Sequence, residues 1–189
     1  MTKGALMVVA MLAVVGLAIA AGPGAVGFVR AHQDAWRAFA ARHLVMAALA
    51  FVLAYGLAVT AMLPVALVLT VASGVIFGAL TGALLSILGA LAGALAAYFL
   101  AQRLGADWTA RTRSIDLLPA GGSGRNAFAI IVTLRLTPLV PFTPVSVAAA
   151  AVRMPLLSFA LATCLGVTPE SVIYAAAWAG VAHIVGGAA

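Results

Sequence analysis

Charge is what this chain has least of. Four acidic residues, Asp34, Asp107, Asp116 and Glu170, stand among 189 positions, against ten Lys or Arg. A soluble domain carries charge at about a quarter of its positions. Here charged residues make up 7% and apolar ones 66%, and the mean hydropathy is +1.22. So little polar surface cannot cover a water-facing globule. A soluble enzyme, a nucleic-acid-binding domain and a disordered chain are therefore excluded as main readings, and an all-α integral membrane protein is expected. Cysteine is nearly missing too: Cys164 alone permits neither an internal disulfide nor a cysteine-based metal cluster. His32, His43 and His183 lie apart, without a carboxylate or thiolate set beside them, so no metal, no cofactor and no catalytic nucleophile with its base is expected. The formal net charge of +6 fits anionic headgroups better than nucleic acid.

What the chain has in quantity is uninterrupted apolar sequence. Residues 4–21 hold no charge and suffice for a short crossing of a hydrocarbon core about 30 Å thick. Lys3, this run and Ala18-Ile19-Ala20 also imitate a secretory signal and its cleavage site; an uncleaved anchor is expected. Gly22-Pro23-Gly24 ends that helix. Residues 28–43 then interleave Phe28, Trp36 and Phe39 with Arg30, Arg37, Arg42, His32, His43 and Asp34. Such a pattern predicts a helix lying in the interface, aromatics at headgroup depth and arginines toward phosphates. Residues 1–43 thus read as an N-terminal transmembrane anchor and interfacial helix, and 44–189 as the membrane domain proper.

From Leu44 to Gln102 there is no formal charge, enough length for three crossings. Three crossings would set Arg103, Arg111, Arg113 and Arg125 across the membrane from Arg30, Arg37 and Arg42, against the tendency of basic loops to stay cytoplasmic. Two crossings plus one hairpin that enters and leaves by the same face keep them together. Loops 30–42 and 103–125 are accordingly expected on the cytoplasmic side, with both termini outside. Pro64, Ser73-Gly74 and Phe77-Gly78 supply the break, predicting a re-entrant segment over about 64–78. Non-helical backbone at that depth survives only against protein or a wet cavity. A helix over about 79–104 follows, with Gly78, Gly82, Gly89 and Gly93 spaced for close packing and Tyr98 and Arg103 at its basic-side interface. Residues 105–125 read as a surface loop with a short amphipathic helix. Gly121-Gly122-Ser123-Gly124 lacks the Lys-Ser/Thr of a phosphate-cradling loop and reads as a linker.

Arg135 is the one charge between Asn126 and Val152, and it precedes Pro138, Pro141 and Pro144. Three prolines so close cannot sit in one regular helix, which predicts a second re-entrant hairpin over about 127–150, entering from the basic face. An arginine at membrane depth costs about 2.5–3.5 kcal/mol on insertion scales unless paired or hydrated. Its fork suits bidentate recognition of phosphate or carboxylate; capping the carbonyls of a broken helix is the structural alternative, and both can hold. In the last helical stretch, 155–188, an interruption is expected at Gly166-Val167-Thr168-Pro169-Glu170, with Thr168 as N-cap, Pro169 in the first turn and Glu170 as first-turn acid. The alternative for Glu170 is a counter-ion to Arg135 or a proton-exchanging group.

Phe77-Gly78 with Gly82, Tyr98-Phe99-Leu100-Ala101-Gln102-Arg103-Leu104-Gly105, Leu134-Arg135-Leu136-Thr137-Pro138-Leu139-Val140-Pro141-Phe142 and Leu165-Gly166-Val167-Thr168-Pro169 together resemble the DedA superfamily with its VTT domain, also labelled SNARE-associated. The likeness covers roughly 44–180, and Arg-x-x-Pro-x-x-Pro-Phe is its most specific part. It implies two re-entrant loops entering from opposite faces, each followed by a crossing helix, in an inverted repeat. It also implies lipid transport: bacterial relatives are associated with flipping undecaprenyl phosphate or other phospholipids, often linked to the proton motive force, and eukaryotic ones with scrambling. By the same resemblance Arg135 is the functional arginine, Pro138, Pro141 and Phe142 shape the second loop, and Gly74 and Gly78 the first. Ser146 stands where relatives often have asparagine. No acid lies between Tyr55 and Gln102, where many relatives carry acids tied to proton coupling.

The expectation is thus a multi-pass protein of a bacterial-type inner membrane, a helical bundle with two re-entrant hairpins in an inverted repeat. Their shared cavity near the midplane would pass the phosphate-bearing headgroup of undecaprenyl phosphate or a phospholipid while the chains stay in lipid. Substrate-binding residues would be Arg135, Pro138, Pro141, Phe142, Gly74, Gly78 and Ser146, with Glu170 as counter-ion or proton-coupling group. Anionic membrane lipids are the expected partners, nucleic acid is not, and a homo-oligomer is left open. A small-solute or anion transporter and a non-transporting scaffold are the alternatives.

Overall fold

The computed structural model describes residues 24–61, 66–104, 124–137 and 140–186, which form seven helices. The anchor expected at 4–21, Pro64, Pro138 and the loop 105–123 lie outside the described residues. In chain order the helices are α1 (Gly24–Arg42), α2 (Leu44–Thr60), α3 (Ala66–Phe77), α4 (Ala79–Leu104), α5 (Gly124–Leu136), α6 (Phe142–Ala151) and α7 (Leu156–Gly186). In lipid a helix satisfies its own backbone groups. Breaks therefore fall where sequence forbids the next turn.

Length separates two kinds of helix. α4, with 26 residues, and α7, with 31, measure about 39 and 46 Å and are long enough to cross a membrane. α2, α3, α5 and α6 run to 17, 12, 13 and 10 residues, or about 15–26 Å, each short of the roughly 30 Å a crossing needs. The leucines facing outward from them, Leu49, Leu53 and Leu57 on α2 and Leu80, Leu84 and Leu88 on α4, are exposed, as a lipid-facing surface requires.

Contacts along α4 give every helix a direction. Gly82 lies against Ser73 and Gly74, Ser73 and Ser86 share a hydrogen bond of 2.8 Å, Gly89 meets Tyr55, and Gly93 meets Gly56 and Val59. α2 therefore runs parallel to α4 and α3 antiparallel to both. Tyr55 facing Thr70 and Phe51 facing Phe77 set the same antiparallel register between α2 and α3. On the other side Phe159 stacks on Tyr98 and Ala175 lies against Gly74, so α7 runs antiparallel to α4. α5 descends beside α7, Arg135 reaching Gly166, and α6 turns back along α4 until Met154 accepts a hydrogen bond from the Tyr98 hydroxyl at 2.6 Å. The two short pairs meet: Thr143, at the start of α6, donates to the carbonyl of Val59, in the last turn of α2, at 2.6 Å. Both tips thus stand level with the middle of α4.

This register differs from the expected order of crossings. The re-entrant segment was expected over 64–78 with α2 as a full crossing. Instead α2 and α3 are an antiparallel pair, α3 ends at Phe77, and α4 follows Gly78 directly. Arg42 and Arg103 consequently lie at opposite ends of the bundle. Gly78, with φ 84°, makes the second reversal in a backbone region that a side chain would strain. Ser73-Gly74 is no turn but the interior of α3, where Gly74 lets α3 close on the backbone of Ala175.

Two further expectations give way. α7 continues unbroken through Gly166 to Glu170, with Pro169 inside it. Thr168 does not cap: its hydroxyl donates back to the carbonyl of Cys164 at 2.6 Å within the same helix, and Glu170 is a mid-helix residue. Tyr98, expected at the interface, is buried with its hydroxyl on Met154 and accepting from Gln102 at 3.0 Å. The helix expected over 28–43 lies within α1, which packs on α2 and α3, with Trp36 and Ala40 buried and Asp34 and Arg42 exposed. The glycine spacing on α4 serves close packing as expected.

Candidate functional site

Arg135 ends α5 one residue before the chain leaves helix, and it is 3% exposed. All its partners are neutral. Nη1 donates to the carbonyl of Phe142 at 3.2 Å and Nη2 to Oγ of Ser146 at 2.9 Å, while the guanidinium carbon sits 4.3 Å from the centre of the Phe142 ring. Ser146 in turn donates to the same Phe142 carbonyl at 2.9 Å. Nε has no partner. α6 begins after Pro141, whose extended backbone, φ −60° and ψ 141°, fixes the angle at which Phe142 and Ser146 face α5. The carbonyl of Phe142 is therefore drawn upon twice, by Ser146 and by the arginine, and the ring of the same residue roofs the charge.

The floor of the site is α7. A Cβ built on Gly166 would meet Cβ of Arg135, with the Val132 carbonyl 3.0 Å away, so the absent side chain is what allows α5 to bring its arginine inward. One turn on, Glu170 is half-buried and acts on Arg135 through space; no ion pair joins the two among the described residues. Tyr55, fully buried on α2 with its hydroxyl 3.2 Å from Thr70, feels both charges. Among the described residues, buried Thr163 and Ser171 on α7 keep hydroxyls without a protein partner.

The residues singled out from sequence fall into two places. Arg135, Phe142 and Ser146 are brought together, with Pro141 beside them. Pro138 lies outside the described residues. Gly74 and Gly78 stand elsewhere, on a cavity at the α1 end of the bundle. Sequence reasoning missed Gly166 as packing partner of the arginine, Thr143 as the link between the tips, and Tyr55; a threonine between two prolines in a hydrophobic run was the one signal for Thr143. Among the described residues no three His, Cys, Asp or Glu side chains gather in the way a metal ion requires.

An unbalanced guanidinium buried among neutral acceptors, with a ring over it and an orphan Nε, is suited to receive an oxyanion. The family model of the VTT domain matches residues 63–180, which contain α3, α4, α5, α6, most of α7 and every residue of the Arg135 site except Tyr55. No curated protein and no solved structure matches the chain. The match covers more than half of the chain, and on it the protein belongs to the VTT-domain family of membrane proteins, the DedA or SNARE-associated domain.

Proposed function

We propose that this protein moves the phosphate-bearing headgroup of a lipid across the membrane, along a path where two re-entrant hairpins in an inverted repeat meet. In this reading α2–α3 enters from one face, α5–α6 from the other, and α4 and α7 carry the chain across. The observation that carries it is Arg135: a cation placed level with the middle of the crossing helices, with only neutral partners. Holding a cation there costs several kcal/mol unless something compensates it, and neutral dipoles compensate only in part. An arriving phosphate completes the charge balance by replacing the Ser146 and Phe142 oxygens on the two η nitrogens. The acyl or prenyl chains stay outside against the exposed leucines. Glu170, close enough to act through space, limits how tightly the anion is held and so favours release.

The test is translocation of phosphatidic acid and of undecaprenyl phosphate by the full chain in phosphatidylcholine liposomes. Arg135→Ala is expected to slow headgroup movement at least about tenfold, the size of a lost charge-assisted bond, and Arg135→Lys to retain part of it, having the charge without the fork. Wild-type rates in Arg135→Ala would overturn the reading. Flux of a small anion indifferent to both lipids would replace it by a solute transporter.

A further inference from the structure

The cavity at the α1 end of the bundle has a chemistry of its own. It measures about 350 Å³ and is walled by Arg37 from α1, the backbone from Gly74 to Gly78 at the close of α3, and Ala179 from α7. Arg37 carries the one formal charge among its lining residues. Its Nε donates to the carbonyl of Val75 at 2.7 Å, which fixes the plane of the guanidinium, and among the described residues its η nitrogens make no hydrogen bond. Val75 belongs to the last turn of α3, where carbonyls lack helical donors, so the arginine satisfies one of the free acceptors at that helix end. Asp34, one turn before it, is exposed and makes no ion pair among the described residues. Opposite the arginine, a Cβ built on Gly78 would meet nothing within 4 Å: the backbone is bare toward open space at the point where it reverses.

We propose that this cavity is a second, interfacial site for a phosphate monoester or diester, held bidentately by the η nitrogens of Arg37 and distinct from the Arg135 site. A pocket near the lower limit of ligand-binding size, about 300 Å³, takes a headgroup and no more. α1 is the amphipathic helix on the bundle's surface, and an arginine half-buried beneath it sits where lipid phosphates lie. The site depends on Arg37 and the α3–α4 reversal, and stands whether or not Arg135 receives the same group.

Equilibrium binding of phosphatidic acid, of diacylglycerol with the same chains, and of inorganic phosphate to the full chain in phosphatidylcholine nanodiscs tests it. The wild type is expected to prefer phosphatidic acid to diacylglycerol. Arg37→Gln is expected to lower phosphatidic acid affinity about tenfold, leaving diacylglycerol unchanged. Arg37→Gln is also expected to produce this drop in an Arg135→Gln background. Arg37→Lys should recover part of the affinity. Ile76→Trp, which fills the cavity and leaves Arg37 in place, should cause the same loss, and covers the case in which Arg37→Gln fails to fold. Competition by millimolar inorganic phosphate would mark the occupant as a soluble phosphate; its absence, with lipid binding intact, marks it as a headgroup. Equal phosphatidic acid affinity in wild type, Arg37→Gln and Ile76→Trp would overturn the proposal, as would loss confined to variants at Arg135.

Discussion

Gly166 and Arg135 occupy one space between them, and the space belongs to the arginine. A methyl group at 166 would press on the arginine's Cβ and on the Val132 carbonyl at 3.0 Å, backbone that cannot swing aside. Gly166→Ala is therefore expected to cost about 1–3 kcal/mol, the range for overpacking a tight core, and to slow headgroup translocation by pushing the guanidinium away from Ser146. A thermal midpoint and a transport rate check this: Gly166→Ala should lower both, and Ser146→Ala, which leaves the buried Nη2 of Arg135 without its acceptor, should also slow transport and cost about 1–3 kcal/mol. A Gly166→Ala protein of unchanged midpoint would show that α5 and α7 are not in contact there. Arg135 itself was legible in the sequence because it is a lone charge ahead of three prolines. Gly166 was not: beside Pro169 it read as a helix break, and only the packed bundle shows that the glycine faces a neighbour while the helix runs on.

At the scale of helices, one hydrogen bond joins the two short pairs. Thr143 Oγ1 donates to the Val59 carbonyl at 2.6 Å, across 84 positions of chain, and both residues are buried. Thr143→Val keeps the shape of the side chain and removes the donor, leaving a carbonyl at the end of α2 with less than its due. The expected loss is about 1–3 kcal/mol, with recovery in Thr143→Ser. Urea or thermal unfolding in detergent measures it, and a Val variant as stable as the wild type would mean that the tips are held by packing alone. Helix existence was readable here from apolar length, α4 almost to the residue. Helix ends were not: the run from Leu44 to Gln102 gives no charge to mark where α2 stops, and Pro169 sits in the interior of α7, where lost backbone pairing is offset by packing on α4, α3 and α5.

For the molecule as a whole the question is which ends share a face, and counting arginines and following contacts give opposite answers. The sequence argument kept Arg42 and Arg103 together by making α2 a crossing. The register of Tyr55 on Gly89 and Gly56 on Gly93 makes α2 and α4 parallel, and parallel helices that begin near one another end on the same side. Since α4 outruns α2 by several turns, the end of α4 carries Arg103 to the far side from Arg42, and α7 returns from there until Ala179 reaches the cavity beside Arg37. Basic residues at both ends of a bundle weaken the orienting bias that a basic loop normally supplies. Single cysteines replacing Arg42 and Arg103 in a Cys164→Ser background are accordingly expected to react with an impermeant maleimide from opposite sides of sealed vesicles. Labelling of both from one side would require α2 to cross fully, would separate Tyr55 from Gly89, and would take Val59 away from Thr143, so that the meeting of the hairpins beside Arg135 would be lost with it.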